Sequence, residues 1–446
     1  MGKLFGTDGI RGIVGSELGI DLALKIGVST TRVLKNQKDK LTFLVASDTR
    51  KSKDVLKFAL ISGVLSENAD IIDLGIIPTS AIAYLIKKYN ADGGFVISAS
   101  HNPSEYNGIK IFNAKGDKVA DNIESKIENI ILNDFVLAEE VNKFGKYEVA
   151  KMAKEDYVDY LKSTVEGDFS KLHIGIDVAN GAAFETAEML FSQLGANYKI
   201  INNNPDGLNI NDNAGSTHLE VLQKFVVDNH LDCGISFDGD ADRCLFVDEL
   251  GNVVDGDKII AIYGNYLKNE NKLRNNAIVG TVISNLGLKK FCEKNNINYE
   301  ATKVGDKYVL DCMLENDYII GGEQSGHIIF REYLNTGDGQ LTALQILKVM
   351  CKSGNSLSEL ASVMETYPQV LKNVNVTKEG KRFYKENVNI NKCIKNVEQK
   401  LNGEGRVLVR ASGTENMIRV MVEGKNINVI DSLCDDIVEV IKKELN

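Results

Sequence analysis

Five short apolar runs recur along the chain: Phe43 to Ala46, Gly94 to Ser98, Ile174 to Asp177, Cys233 to Phe237 and Ile278 to Val282. Each is too short for a helix and too continuously apolar for a strand with one wet face, so each reads as a strand covered on both sides. Between them lie amphipathic stretches of helical period, such as Val55 to Leu65, Thr186 to Leu194 and Leu219 to Val227. Strand, loop and helix in alternation build βαβ units, which require mixed, mostly parallel sheets. The recurrence is too long and irregular for a solenoid. It predicts several similar α/β domains in series.

The 446 residues are enough for roughly three domains of about 150 residues each. The polar stretch around Asn142 to Lys154 reads as a first linker. Boundaries are also expected near Glu249 to Gly256 and Tyr367 to Asn373. The last segment differs: Gly405 to Glu423 reads as two strands around a tight loop, followed by a helix from about Asn428 to Glu444, a smaller α+β domain. The expected division is 1–150, 151–252, 253–368 and 369–446.

Charge and cysteine usage narrow the function. The formal net charge of −10 disfavours nucleic acid and anionic membrane as partners. An anionic substrate would need cations gathered locally. No apolar run reaches the ~18 residues of a membrane span; the longest candidate, Ile71 to Ile86, contains Asp73 and Pro78. The N-terminal residues contain no signal-peptide core. The seven cysteines are dispersed without a Cys-x-x-Cys pair, which fits a reducing, cytoplasmic setting rather than a disulfide framework or structural zinc.

Four loops carry chemistry. In Asp238-Gly-Asp-Ala-Asp-Arg243, three carboxylates at i, i+2 and i+4 between two apolar strands repel one another unless a cation neutralises them, and hard oxygen ligands suit Mg²⁺ or Ca²⁺. An EF-hand is excluded because Arg243 occupies the position that needs glycine and the flanks are strands. Ser98-Ala-Ser-His-Asn-Pro103 follows a buried strand, at the carboxyl end where α/β proteins place sites. Its serines either cap a turn or carry a phosphoryl group, and His101 is too close in sequence for a Ser–His triad. Gly321-Gly-Glu-Gln-Ser-Gly-His327 offers Glu, Gln, Ser and His for sugar hydroxyls; a structural turn fits it equally. Arg410-Ala-Ser-Gly-Thr-Glu-Asn416, with Arg419 beyond it, combines arginine, hydroxyls and free N–H groups suited to phosphate. The N-terminal Phe5-Gly-Thr-Asp-Gly-Ile-Arg-Gly12 adds Arg11, and Lys110 sits on the strand-like Gly108 to Phe112.

These five motifs, in this order over nearly the whole chain, resemble the α-D-phosphohexomutase family. The sugar loop and Val304-Gly-Asp-Lys-Tyr-Val309 are most similar to its branch acting on glucosamine phosphates. The resemblance implies three related α/β domains and a smaller C-terminal domain around a central cleft. It also implies interconversion of glucosamine 6-phosphate and glucosamine 1-phosphate through a phosphoserine and a 1,6-bisphosphate, which also serves as primer, on the route to UDP-N-acetylglucosamine. Carried over by position, Ser100 is the phosphoserine. Asp238, Asp240 and Asp242, with a phosphate oxygen on Ser100, hold one Mg²⁺. Arg11 and Arg243 steady the transferring group. Glu323 and Ser325 grip the sugar. Arg410, Ser412, Gly413, Thr414 and Arg419 hold the other phosphate. Lys110 is expected as general base, its pKa lowered by nearby arginines, with His327 second. A homodimer is the family's expected assembly.

Ala411 and Asn416 replace the prolines usual in the last loop, which reduces its rigidity. Val45-Ala-Ser-Asp-Thr-Arg50 also departs from the family pattern, leaving a phosphate role for that stretch in doubt although Arg50 matches. Three alternatives stay open: a phosphoglucomutase or phosphomannomutase, a Mg²⁺-dependent phosphatase with an aspartyl nucleophile, and a nonenzymatic sugar-phosphate sensor.

Overall fold

The computed structural model describes residues 4–6, 8–35, 38, 40–137, 143–412 and 416–445. They fall into two compact units, Met1–Val282 with Asn298–Val363, and Ile283–Ile297 with Met364–Asn446.

The first unit contains three sheets. In the six-stranded sheet the order is Ile10–Ile13, Tyr106–Asn113, Gly93–Ile97, Thr42–Ser47, Asp70–Ile76 and Tyr147–Val149. The last four run parallel. Gly93–Ile97 is buried along its whole length, which is why its side chains are continuously apolar. Tyr106–Asn113 pairs antiparallel with it and places Lys110 opposite Val96. Tyr147–Val149 lies inside the stretch that patterning assigns to a linker. It is short and exposed, and pairs with Asp70–Ile76 only at the sheet edge.

The five-stranded sheet runs Val253–Val254, Cys244–Asp248, Cys233–Phe237, His173–Asp177, Asn197–Ile201. The antiparallel pairing of Phe237 with Cys244 makes Asp238 to Arg243 the connecting loop of a tight hairpin. The four-stranded sheet runs Asn298–Thr302, Ala277–Thr281, Ile320–Gly322, Ile328–Phe330. Gly321 and Gly322, which open the Gly-rich motif in sequence, belong to the strand, and the loop begins at Glu323. All three sheets therefore mix parallel and antiparallel pairs, and each turns antiparallel at the loop or strand that carries site residues.

The second unit has an antiparallel sheet ordered Gln369–Asn375, Met417–Gly424, Gly405–Ala411. The helix Ile427–Leu445 buries Ile430, Leu433, Cys434, Ile437, Val438 and Ile441, residues spaced three or four apart on one face. This is the two-strand-and-helix pattern expected from sequence. The helix Leu286–Lys294 also belongs to this unit. Asn285 and the backbone of Tyr367 exchange hydrogen bonds of 2.9 and 3.0 Å, and Leu286 N–H donates to Glu423. Sequence patterning contains no sign of this excursion.

Candidate active site

Ser100 follows the strand Gly93–Ile97 and is buried, with φ 53°. A left-handed non-glycine residue costs about 1–3 kcal/mol and persists only where its surroundings over-determine it. Here the determinant is Arg50, which is fully buried. Its five N–H groups reach Asp48 Oδ2 (2.9 Å), Ser100 O (3.0 Å), Asn102 O (2.8 Å), Tyr106 O (3.0 Å) and Pro103 O. Asn211 adds bonds to Ser100 O and Asn102 O at 2.9 and 3.1 Å. Arg50 thus clamps the serine loop and has no N–H left for a phosphate. A lysine could not reproduce five directed bonds. Arg50→Lys is expected to lower the melting temperature and, by shifting Ser100 about 1 Å, to lower kcat about 100-fold. The Mg²⁺ concentration for half-activity should stay unchanged; a parallel thermal melt and metal titration check both.

The Asp238–Arg243 loop packs directly against the serine loop. Gly239 permits the approach, because a Cβ there would lie 2.6 Å from the Ser100 carbonyl oxygen. Ser100 Oγ donates to Asp238 Oδ2 at 2.5 Å, and Arg243 N–H donates to Asp238 Oδ1 at 3.2 Å. Asp240 Oδ2 accepts from Thr79 Oγ1 (2.6 Å) and Lys110 Nζ (2.7 Å). Asp242 Oδ2 accepts from Lys110 at 3.3 Å. Asp240 Oδ1 and Asp242 Oδ1 are buried and have no hydrogen-bond partner. Oxygens of the three carboxylates lie within 4.8 Å of one another. Two orphaned buried oxygens in an all-oxygen, hard donor set fit Mg²⁺. Burial, then the charges of Asp240 and Asp242, push Asp238 up to about 8, the strain a cation would relieve.

The electrostatics around Lys110 run opposite to the sequence expectation. Burial would lower its pKa, but Asp240, Asp8 and Asp242 outweigh burial and hold it well above its usual value. Arg11 opposes this only weakly. Lys110 is therefore a fixed cation. It contacts Asp8 at 2.9 Å. Asp8 also pairs with Arg11 and Lys118, and Lys118 reaches Asp306 at 2.6 Å. His327 lies between Asp306 and Asp242, 3.7 Å from each. A chain of alternating charge thus closes on itself through Asp8, Lys118, Asp306, His327, Asp242 and Lys110. Burial would lower the His327 pKa, but Asp242 and Asp306 raise it above the usual value. Its Nε2 accepts from Gly337 N–H at 3.0 Å.

Arg11 binds the serine loop at Ala99 O (3.3 Å) and Asn102 Oδ1 (3.1 Å). His101 Nδ1 is 3.5 Å from Ser100 Oγ. Burial, then Arg243 and Arg11, lower its pKa to about 4. The Glu323–His327 loop joins the Asp238–Arg243 hairpin through Cys244 N–H and Gly326 O at 3.0 Å. Gly326, at φ 94°, would put a Cβ 2.4 Å from the Cys244 carbonyl oxygen. Glu323 Oε1 accepts from Gly305 N–H at 3.0 Å, which braces the Val304–Val309 stretch. Ser325 is partly exposed on the same loop. The first unit therefore assembles Ser100, Arg11, Lys110, the three aspartates, Arg243 and His327. Sequence reading missed Asp8, Thr79, Lys118, Asn211 and Asp306. Asp8 and Asp306 lie inside motifs already singled out, but their partners are remote in sequence.

In the second unit, Arg410 and Arg419 stand directly opposite each other in the antiparallel register. Like charges in that position repel; burial and then Arg419 lower the Arg410 pKa. Arg419 Nε is buried without a hydrogen-bond partner. Such a pair is suited to an anion. Ser412 N–H donates to Met417 O at 2.9 Å. Gly413 and Thr414 lie outside the described residues.

Four family models match the chain: phosphoglucomutase/phosphomannomutase alpha/beta/alpha domain I over 2–136, domain II over 155–251, domain III over 255–367, and the C-terminal domain over 371–440. The chain belongs to the phosphoglucomutase/phosphomannomutase family. It is 50% identical to the phosphoglucosamine mutase of Clostridium acetobutylicum over 448 residues, and 50% identical to that of Acetivibrio thermocellus over 451, in each case across 100% of both chains. A phosphoglucomutase/phosphomannomutase family protein from Burkholderia thailandensis shares the fold at TM-score 0.81 and 21% identity, covering 99% of this chain and 98% of that one. The Aspergillus fumigatus N-acetylphosphoglucosamine mutase in complex with GlcNAc-6P and magnesium aligns at TM-score 0.71 and 17% identity, covering 100% and 96%.

Proposed function

We propose that this chain is a phosphoglucosamine mutase, an isomerase that interconverts glucosamine 6-phosphate and glucosamine 1-phosphate and supplies UDP-N-acetylglucosamine synthesis. The observation that carries the mechanism is Ser100 Oγ at 2.5 Å from a carboxylate of a buried three-aspartate cluster. Half identity along the full length of the curated relatives supports the aminosugar as substrate.

The reaction begins with a phosphoryl group on Ser100. The free sugar hydroxyl attacks phosphorus, its oxygen–phosphorus bond forms, the bond to Ser100 Oγ breaks, and the sugar leaves this step as the 1,6-bisphosphate. After the bisphosphate turns around, Ser100 Oγ attacks its other phosphorus, the bond from that phosphorus to the sugar oxygen breaks, and the freed sugar oxygen takes back the proton given up in the first transfer. Such transfer needs positioning and charge neutralisation more than covalent assistance. Asp238, Asp240 and Asp242 would hold Mg²⁺, which would offset charge on the phosphoryl oxygens. Arg11, Arg243 and the fixed cation of Lys110 add to that field. Of the two nitrogen bases, His327 takes the hydroxyl proton; Lys110 is held too strongly protonated to accept it. Glu323 and Ser325 grip the sugar, and Arg410, Ser412, Gly413, Thr414 and Arg419 hold the phosphate that is not transferring.

The division into domains 1–150, 151–252, 253–368 and 369–446 is part of this reading, as are a cytoplasmic setting and a homodimer. No helix among the described residues is long and apolar enough to cross a membrane; light scattering tests the dimer. The deciding experiment is phosphorus NMR with Mg²⁺, a sugar 1,6-bisphosphate primer and glucosamine 6-phosphate against glucose 1-phosphate. Faster conversion of the aminosugar supports the proposal. A preference for glucose phosphate moves the chain to the phosphoglucomutase reading, and release of inorganic phosphate alone to a phosphatase.

A further inference from the structure

Thr79 is 2% exposed and opens the helix Thr79–Lys88, 161 residues from the metal loop in sequence. It nevertheless holds Asp240 twice. Its N–H donates to Asp240 O at 2.9 Å, and its Oγ1 donates to Asp240 Oδ2 at 2.6 Å. Lys110 takes the same Oδ2 at 2.7 Å. One carboxylate oxygen is thereby saturated and the other, Oδ1, is left buried without a hydrogen-bond partner. The Thr79 N–H belongs to the first turn of its helix, where N–H groups lack intrahelical acceptors and favour negative charge. The neighbouring Ser80 anchors that turn: its Oγ is 3.1 Å from Tyr157 Oη, which donates to Asp338 at 2.9 Å. The clamp is fixed from behind as well as in front.

We infer that Thr79 is a positioning residue for the metal: its hydroxyl occupies Asp240 Oδ2 so that Oδ1 is the oxygen presented to Mg²⁺. This rests on the magnesium reading above. Outer partners of metal-ligating carboxylates are commonly worth about 10- to 100-fold in metal affinity. Lys110 alone cannot fix the carboxylate's rotation, because it also serves Asp8 and Asp242.

The test is direct binding of Mn²⁺ to the full chain by electron paramagnetic resonance, with thermal melts of the metal-free proteins in parallel. Thr79→Val and Thr79→Ala remove the hydroxyl, and Thr79→Ser keeps it. Mn²⁺ affinity is expected to fall about 10- to 100-fold in the first two and to stay near the parent value in Thr79→Ser. A purely structural role would lower the melting temperature while leaving affinity per folded site unchanged. Unchanged affinity in either hydroxyl-less variant overturns the inference, as does an equal loss in Thr79→Ser. A parent chain that binds no Mn²⁺ overturns the magnesium reading instead.

Discussion

Ser100→Ala is expected to abolish mutase turnover, lowering kcat by at least about 10⁴-fold, because the variant has no oxygen on which the phosphoryl group can rest between the two transfers. The fold should survive. The loop is held through backbone carbonyls by Arg50 and Asn211, not through the Ser100 side chain. Loss of the hydroxyl removes one 2.5 Å bond to Asp238 Oδ2. That bond contributes little to stability, since Asp238 keeps the Arg243 N–H. Intact-mass measurement should show the phosphoryl group on the parent and none on Ser100→Ala, and phosphorus NMR should show no glucosamine 1-phosphate. Full activity of Ser100→Ala would end the phosphoserine scheme.

The second large effect separates two aspartates that look equivalent in sequence. Asp240→Ala leaves Lys110 buried with its closest counter-charge removed, and breaking a buried pair costs about 3–5 kcal/mol. Asp238→Asn removes much less, because Asp238 is raised to about 8 by burial and by its two neighbours and is already mostly protonated at neutral pH. Its metal-free stability should change by no more than about 1 kcal/mol. Both variants should lose all stabilisation by Mg²⁺. The pH dependence follows the same group. In the metal-free fold Asp238 keeps its proton up to about 8, whereas the unfolded chain releases it in the usual carboxylate range. Between those values the folded state binds more protons, so its stability declines as pH rises and levels off above about 8. Mg²⁺ competes with that proton. The rise in melting temperature on adding Mg²⁺ should therefore be larger at about pH 8.5 than at about pH 6, and calorimetry at both values reads it. An equal rise would mean that Asp238 is not a ligand.

Residues near in sequence were legible because local chemistry requires them to act together. Buried strands announced themselves as apolar runs, and the hairpin Cys233–Phe237 with Cys244–Asp248 fixed three carboxylates into one loop. Tyr147–Val149 was hidden because three exposed residues at a sheet edge have the composition of a linker. The Arg50 clamp was hidden because four of its five partners are carbonyl oxygens, which carry no sequence signal.

The chain's order of motifs determined the family and singled out the proposed nucleophile and metal ligands. Only the tertiary structure decided protonation and aim: that Lys110 is a fixed cation, that Asp8, Lys118 and Asp306 join His327 to the metal loop, and that Thr79 leaves one oxygen of Asp240 unsatisfied. The reason is physical. Charge state depends on burial and on neighbours within a few ångströms, and those neighbours come from sequence positions more than a hundred residues apart.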